Sequence, residues 1–313
     1  MQTMQTIQRE ETREKIASLV LALQTIPSEQ MRQILPSKRV IILRMVCKAM
    51  KKAIADAKLS VSIQARPTRI IQSAASSLNK MLEWCTIKSL NLTEACTGVT
   101  AIQVWSPVLC NCTSLTRLNL CSNDINDEGA QLLSKTLLRF TKLNALHLQN
   151  NSIADCGTKH LALVLVKCPF LAHLNLGVNY IRAEGAGLLA AVLPRCPLLA
   201  NLHLAWNRIG DEGAGLLASV LPECTSLAHL DLCGNNIGDE GAGLLASVLP
   251  ECTSLAHLDL GGNNIGDEEA GLLAAVLPRC TSLAHLDLGG NYIGAEGAGR
   301  LQAAALPSLD LIF

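Results

Sequence analysis

The chain has 313 residues, enough for two ordinary globular domains or for one elongated array of repeats. Hydrophobic residues make up 49% of it and aromatic residues only 3%, so the core must be built from Leu, Ala, Val and Ile, which favours small, similar layers stacked on one another. The formal net charge is zero and no run of 18 apolar residues occurs, so we expect no transmembrane helix and no membrane partner.

Charge is unevenly distributed along the chain. Residues 1–86 contain 14 Lys and Arg against 6 Asp and Glu, a net of +8, and residues 87–313 contain the remaining 12 against 20, a net of −8. A basic segment of this kind can mark an arm that contacts nucleic acid or acidic partners. A solvated basic helix beside an acidic array is the simpler interpretation, and we therefore expect no nucleic-acid partner.

The first 15 residues are polar and charged, and we predict a disordered tail over 1–15. They contain no apolar segment of the kind found in a secretory signal. The odd number of cysteines, 13, also favours reduced thiols over a disulfide framework. We therefore expect a cytoplasmic protein, with the nucleus as the alternative.

Helical patterns follow over 16–23, 40–54 and 70–84, which predicts a helical segment over 16–86 that caps the first repeat. Residues 34–54 within it read ILPSKRVIILRMVCKAMKKAI. This stretch resembles the second half of an F-box, with Leu-Pro, an apolar helix and a Val-Cys-basic motif, although Ala49-Met50 stand where a bulky aromatic is common. The resemblance implies a substrate-recognition adaptor of a ubiquitin ligase that binds a Skp-type linker. The alternative is a plain capping helix.

A repeat of 28 residues organises the rest of the chain. The pattern L-x-x-L-x-L-x-x-N-x-I begins at Leu115, Leu143, Leu171, Leu199, Leu227, Leu255 and Leu283. One step earlier, residues 87–92 keep the strand half of the pattern but Ala95 replaces the Asn, and residues 306–311 repeat the strand half once more. We therefore predict a repeat domain over 87–313, with eight 28-residue repeats and a partial ninth strand.

Each repeat has the pattern of one strand and one helix. The L-x-L core alternates with the period of a strand, and the Asn after it can satisfy backbone groups where the chain leaves the sheet. Acidic residues then open an apolar helical pattern, where the helix dipole favours them. The helix is expected to end at a proline, as at Pro194, Pro222, Pro250 and Pro278. Because helices are wider than the strand spacing, the predicted fold is an α/β horseshoe solenoid with a parallel sheet inside and helices outside.

The repeat closely resembles the ribonuclease-inhibitor type of leucine-rich repeat, found in the ribonuclease inhibitor, the repeat regions of NOD-like receptors and Ran GTPase-activating protein. The resemblance implies a non-catalytic scaffold or sensor that holds a protein partner, and an activator of a small GTPase is the alternative that it leaves open. One departure is Glu269, which we expect to tighten its helix start without breaking the fold. The other strong repeats carry glycine at that position: Gly129, Gly157, Gly185, Gly213, Gly241 and Gly297.

Cysteines and histidines each recur at fixed repeat positions. The cysteines that follow the helix are Cys112, Cys168, Cys196, Cys224, Cys252 and Cys280. Buried thiols explain them better than a metal site, since ligands one repeat apart are too distant to share an ion. The outward strand positions hold His173, His229, His257 and His285 in one column, and His147, His203, Asp231, Asp259 and Asp287 in the next. A polar face is favoured there over a pH- or metal-sensitive surface.

Motifs for nucleotide hydrolysis, zinc proteolysis and serine-hydrolase chemistry are absent, so we expect no enzyme, no cofactor and no metal. Repeats from Leu227 onward show the same residues on the concave face, whereas those between Leu115 and Ser226 differ from one another. Specificity requires distinct groups at distinct places. The predicted partner-binding residues are Arg117, Asn119, His147, Gln149, His173, Asn175, Tyr180, Asn201, His203, Trp206 and Arg208.

Overall fold

The structure, a computed structural model, describes residues 59–62, 87–94 and 98–313. The predicted tail, the F-box-like stretch and most of the predicted helical segment lie outside these residues. The strands are β1 (Leu59–Ser62), β2 (Ile87–Asn91), β3 (Arg117–Asn119), β4 (Ala145–His147), β5 (His173–Asn175), β6 (Asn201–His203), β7 (His229–Asp231), β8 (His257–Asp259), β9 (His285–Asp287) and β10 (Asp310–Ile312). The helices are α1 (Gly98–Leu109), α2 (Asp127–Leu137), α3 (Asp155–Leu165), α4 (Ala183–Ala190), α5 (Gly210–Ala218), α6 (Asp239–Val248), α7 (Asp267–Val276) and α8 (Ala295–Ala304).

The strands form one sheet in which each pairs in parallel with the next along the chain, in the order β1 to β10. The register follows the 28-residue period, so that Leu118 pairs with Leu146 and Leu230 with Leu258. A helix connects each strand to its neighbour from β2 to β10, and each helix packs on the next helix along the chain. The predicted α/β leucine-rich-repeat solenoid is confirmed.

The sheet starts one period earlier than the repeat pattern predicted. β1 lies within the segment 16–86, which was assigned to a helical cap, and Leu59 pairs with Ile87 across 28 residues. That assignment is wrong for residues 59–62. The sequence Leu-Ser-Val-Ser alternates apolar and polar residues as a strand does, but it lacks the leucines and the Asn that mark the later repeats. The open edge of β2 supplies the hydrogen bonds that select the strand there.

Leucine layers form the core between the sheet and the helices. The central leucine of each strand from β3 to β9 is at most 2% exposed, and the inner helix positions are buried with it. Complete burial of one such side chain stabilises the fold by about 1.5–3 kcal/mol. Because no single repeat can bury its own layer, the stability of each repeat depends on its neighbours.

The asparagines after the strands join consecutive repeats, as predicted. Asn207 is buried, and its Oδ1 accepts a hydrogen bond of 3.0 Å from the Ile181 amide of the preceding repeat. Its Nδ2 donates to the carbonyl oxygens of Leu176 at 3.0 Å and of Leu204 at 2.8 Å. The same pattern recurs at Asn151, Asn179, Asn235 and Asn263. These side chains satisfy backbone groups that neither strand nor helix pairs.

The aspartates in the first helical turn act on the following helix rather than on their own. Asp211 Oδ1 accepts from the amides of Gly238 at 2.7 Å and Gly241 at 2.9 Å, both of the next repeat. Asp127, Asp155 and Asp267 make the same pair of bonds. This explains the repeated glycine, because a Cβ on Gly241 would lie 2.7 Å from Asp211 Oδ1. A glycine therefore makes room for the cap that the preceding repeat provides.

The prolines mark the helix ends. α4 ends at Ala190, and a short 3-10 helix over Leu193–Arg195 holds Pro194 in its first turn. The same 3-10 turn recurs over Leu221–Glu223, Leu249–Glu251 and Leu277–Arg279. Proline lacks the amide that a continuing α-helix would need, and its fixed φ suits this first turn.

Candidate concave interaction surface

The first and third residues of each strand line the concave face, and the central leucine points into the core. Register places the predicted histidines in columns, since His229 pairs with His257 and His257 with His285. The second column holds His147, Asn175, His203 and Asp231 on adjacent strands. From β5 to β9 these outward residues are half-buried. The structure therefore brings the predicted strand residues onto one continuous polar surface.

Two of the predicted binding residues also have a structural role. Asn119 Oδ1 accepts from the Cys121 amide at 2.9 Å, and Asn175 Oδ1 accepts from the Gly177 amide at 3.0 Å. Asp231, Asp259 and Asp287 make the same turn at the ends of later strands. An Asn or Asp at this position thus closes the strand end in either half of the array.

The remaining predicted side chains between β3 and β6 carry the variation. Arg117 and Gln149 are exposed, and Gln149 Oε1 accepts from Asn175 Nδ2 at 3.3 Å. His147 is half-buried, and burial lowers the pKa of its imidazole, with further contributions from His173, His203 and Arg117. This part of the face is therefore polar and weakly cationic, and its groups change from one strand to the next.

A histidine stack occupies the later strands. The rings of His229 and His257 lie 4.1 Å apart at 14°, and those of His257 and His285 lie 5.6 Å apart at 36°. His285 Nδ1 is 2.9 Å from Asp310 Oδ2. Burial, followed by the neighbouring histidines, lowers the pKa of His229, whereas burial raises that of Asp259. Within residues 59–62, 87–94 and 98–313, no three His, Cys, Asp or Glu side chains are placed to hold a metal ion.

One loop position after the strands has left-handed backbone in every repeat from β3 to β9. Its occupants, with φ between +53° and +71°, are Ser122, Asn150, Val178, Trp206, Gly234, Gly262 and Gly290. Glycine adopts this conformation without strain, and Ser or Asn with little. A β-branched Val178 and a bulky Trp206 are outliers there, each with a cost of about 1–3 kcal/mol.

These two outliers belong to an exposed cluster on adjacent loops, which we call the aromatic patch: Val178, Tyr180, Trp206 and Arg208. Trp206 is 62% exposed, Tyr180 47% and Val178 36%. The Arg208 guanidinium carbon lies 5.2 Å from the centroid of the Tyr180 ring. The Trp206 ring lies against Gly234, where a Cβ would come within 2.9 Å of it. Sequence analysis singled out three of the four residues and missed Val178, although Val at a position that is Gly in three repeats was a signal.

The cysteine column has the predicted buried character. Cys252 Sγ donates to the Val248 carbonyl at 3.3 Å, and Cys224 and Cys280 bond the equivalent carbonyls. Burial raises the pKa of Cys168, Cys224 and Cys252 to about 11. The reactive thiolate is therefore scarce at neutral pH, and these cysteines act as small apolar side chains.

Comparison with known proteins agrees with the repeat assignment. Five segments match the leucine-rich repeat family model, at residues 111–134, 195–218, 223–246, 251–274 and 279–301. No curated protein sequence matches significantly. Similar solved structures include the second actin-binding site of leiomodin-1, with 19% identity, a TM-score of 0.41, and coverage of 48% of this chain and 86% of that one. An internalin of Listeria monocytogenes has 20% identity, a TM-score of 0.44 and 90% coverage of both chains. Among the described helices, none is long and apolar enough to cross a membrane.

Proposed function

We propose that this leucine-rich-repeat protein is a non-catalytic interaction module that holds a protein partner on the concave surface of β3–β6 and the loops after them. The aromatic patch is the centre of the proposed site. The strand residues beside it form the surround: Arg117, Asn119, His147, Gln149, His173, Asn175, Asn201 and His203.

The observation that carries this proposal is the conformation of Trp206. Its side chain is mostly exposed and its backbone is left-handed, whereas the next three repeats place glycine at the same position. The exposed ring returns little burial energy to the fold, so folding alone does not account for a strained tryptophan here. Strain of this kind persists at sites where a function needs the side chain.

The chemistry of the patch supports a protein partner. Trp, Tyr and Arg are the residues that most often dominate the binding energy of protein interfaces. Arg208 packed over Tyr180 presents a flat, preordered surface, so little side-chain entropy remains to be lost on binding. His173, Asn201 and His203 beside it are half-buried and polar, as the rim of such an interface is.

Pull-down from cell extract with the full chain tests the site. We expect Trp206→Ala combined with Arg208→Ala to reduce recovery of the specific partner at least tenfold, because loss of two anchors removes about 2 kcal/mol or more. Tyr292→Ala is a matched control, since Tyr292 occupies the repeat position of Tyr180 and is 75% exposed but lies in the last full repeat. Equal recovery with all three proteins would refute the proposed site.

The two finer alternatives remain predictions from resemblance. An F-box adaptor is tested by co-purification of a Skp-type linker with the wild type but not with Val46→Asp. A GTPase activator is tested by measuring GTP hydrolysis by small GTPases with and without the protein. Neither result depends on the aromatic patch, so these experiments are independent of the pull-down.

A further inference from the structure

The helix that begins with Glu269 differs from its neighbours. Glu269 takes the position of the conserved-size glycine in the sister repeats, and it is buried, with 9% of its surface exposed. Its carboxyl hydrogen-bonds the Asp239 carboxyl of the preceding repeat. Its Oε2 has no hydrogen-bond partner among the described residues. Two carboxyl groups in contact can form such a bond only when one of them carries a proton.

The substitution also removes part of a helix cap. Asp211 accepts from both Gly238 and Gly241, but Asp239 accepts only from Gly266 at the equivalent helix start. The Glu269 amide contacts its own carboxyl group instead. The glycine pattern gives the reason, because a Cβ at that position would fall on the capping oxygen. α7 therefore begins with one fewer bond to the preceding repeat than α6 does.

The helices on either side of this carboxyl pair are further apart than their neighbours. A Cβ on Gly215 would lie 2.7 Å from Leu244 Cδ1, and one on Gly187 would lie 2.8 Å from Leu216 Cδ1. The corresponding distance from Gly243 to Leu272 Cδ1 is 3.7 Å. The α6–α7 junction has therefore lost a van der Waals contact that the two preceding junctions keep.

We propose that Asp239 and Glu269 share one proton, and that loss of this proton loosens the α6–α7 junction, which makes it a pH-sensitive hinge of the solenoid. β7 and β8 remain paired in regular register, so the loosening takes place on the helical side. Wider helix spacing at constant strand spacing increases the local curvature. The hinge thus changes the angle between the repeats that carry the aromatic patch and the last two repeats.

The electrostatic surroundings favour the protonated pair. Burial is the main cause that raises the pKa of Glu269, and the carboxylates of Asp239 and Glu268 add to it. On the other side, α8 brings Glu296 and Arg300, which pair with each other. A group whose pKa is raised on folding stabilises the folded state at low pH, and this stabilisation is lost as pH rises from its unfolded value through its folded value.

Hydrogen exchange of the full chain tests the hinge. Protection factors of the first-turn amides of α7 are compared at pH 5 and pH 8, corrected for intrinsic exchange, in the wild type and in Glu269→Gln. In the wild type we expect protection to fall about tenfold for each unit by which folding raises the pKa. In Glu269→Gln, which keeps the size but cannot ionise, we expect no such fall.

Two further variants separate the proton from other causes. Glu268→Gln, a change at the exposed neighbour in the same helical turn, should keep the wild-type fall in protection. Glu269→Gly should raise protection at both pH values, because it restores the glycine of the sister repeats. The same pH dependence in the wild type and in Glu269→Gln would overturn the proposal, as would its loss in Glu268→Gln.

Discussion

Arg208 stacks on Tyr180 across the boundary between two repeats, with its guanidinium carbon 5.2 Å from the ring centroid. The two residues occupy the same position in consecutive repeats, separated by 28 residues in the sequence. At an exposed site such a cation–π contact stabilises by about 0.5–1 kcal/mol. We expect a double-mutant cycle of Tyr180→Leu and Arg208→Gln, followed by urea unfolding, to give a coupling energy in this range. A coupling energy near zero would show that the stack does not order the patch in solution.

Replacement of Trp206 by glycine should separate stability from binding. Glycine occupies this left-handed position in the next three repeats, so Trp206→Gly removes backbone strain while it loses the contact with Gly234. We expect the free energy of unfolding to stay within about 1 kcal/mol of the wild type or to rise, while partner recovery falls. Thermal unfolding and the pull-down together check this. Trp206→Ala, which keeps the strained φ with a Cβ, should be less stable than Trp206→Gly.

Loss of an inter-repeat cap should destabilise the array measurably. Asp211→Ala removes the acceptor for two amides at the start of α6, and loss of a capping side chain costs about 1–2 kcal/mol. Asp211→Asn keeps an acceptor oxygen and should cost less. Glu212→Ala, at the exposed neighbour, is the control and should change stability by less than about 0.5 kcal/mol. Denaturant unfolding gives all three values, and equal losses for Asp211→Ala and Glu212→Ala would contradict the capping role.

The histidine stack predicts a loss of stability on mild acidification. Burial and neighbouring histidines lower the pKa of His229 in the folded chain, so the unfolded state takes up its proton first as pH falls. Stability should therefore decrease from about pH 6.5 downward until the folded pKa is reached. His229→Gln should reduce this decrease between pH 7 and pH 5. A proton titration of His229 by NMR with a midpoint above 6.5 would show that the stack does not act in this way.

Periodicity was sufficient to predict the fold, since the leucine, Asn and Pro positions each report on burial or chain direction one repeat at a time. It could not predict β1, because Leu59–Ser62 lacks those markers and becomes a strand through the edge of β2. It placed the aspartates correctly at helix starts but gave them the wrong target, since the partner of Asp211 lies in the next repeat.

The interaction site shows the same limit. Sequence variation located Tyr180, Trp206 and Arg208, and equal spacing placed them on neighbouring loops. The left-handed backbone of Trp206 and the contact between Arg208 and Tyr180 depend on dihedral angles and rotamers, which spacing does not report. Val178 became visible only when its φ of +53° was compared with those of the glycines at the same position.

Each junction between repeats is fastened in both directions: an aspartate reaches forward to cap the next helix, and an asparagine reaches back to the preceding isoleucine amide. An insertion or deletion of a few residues between these groups would break bonds on both sides of the altered repeat. Gain or loss of a whole 28-residue unit leaves every donor opposite an acceptor. Such a chain can change the number of its repeats during evolution or design, but not their phase.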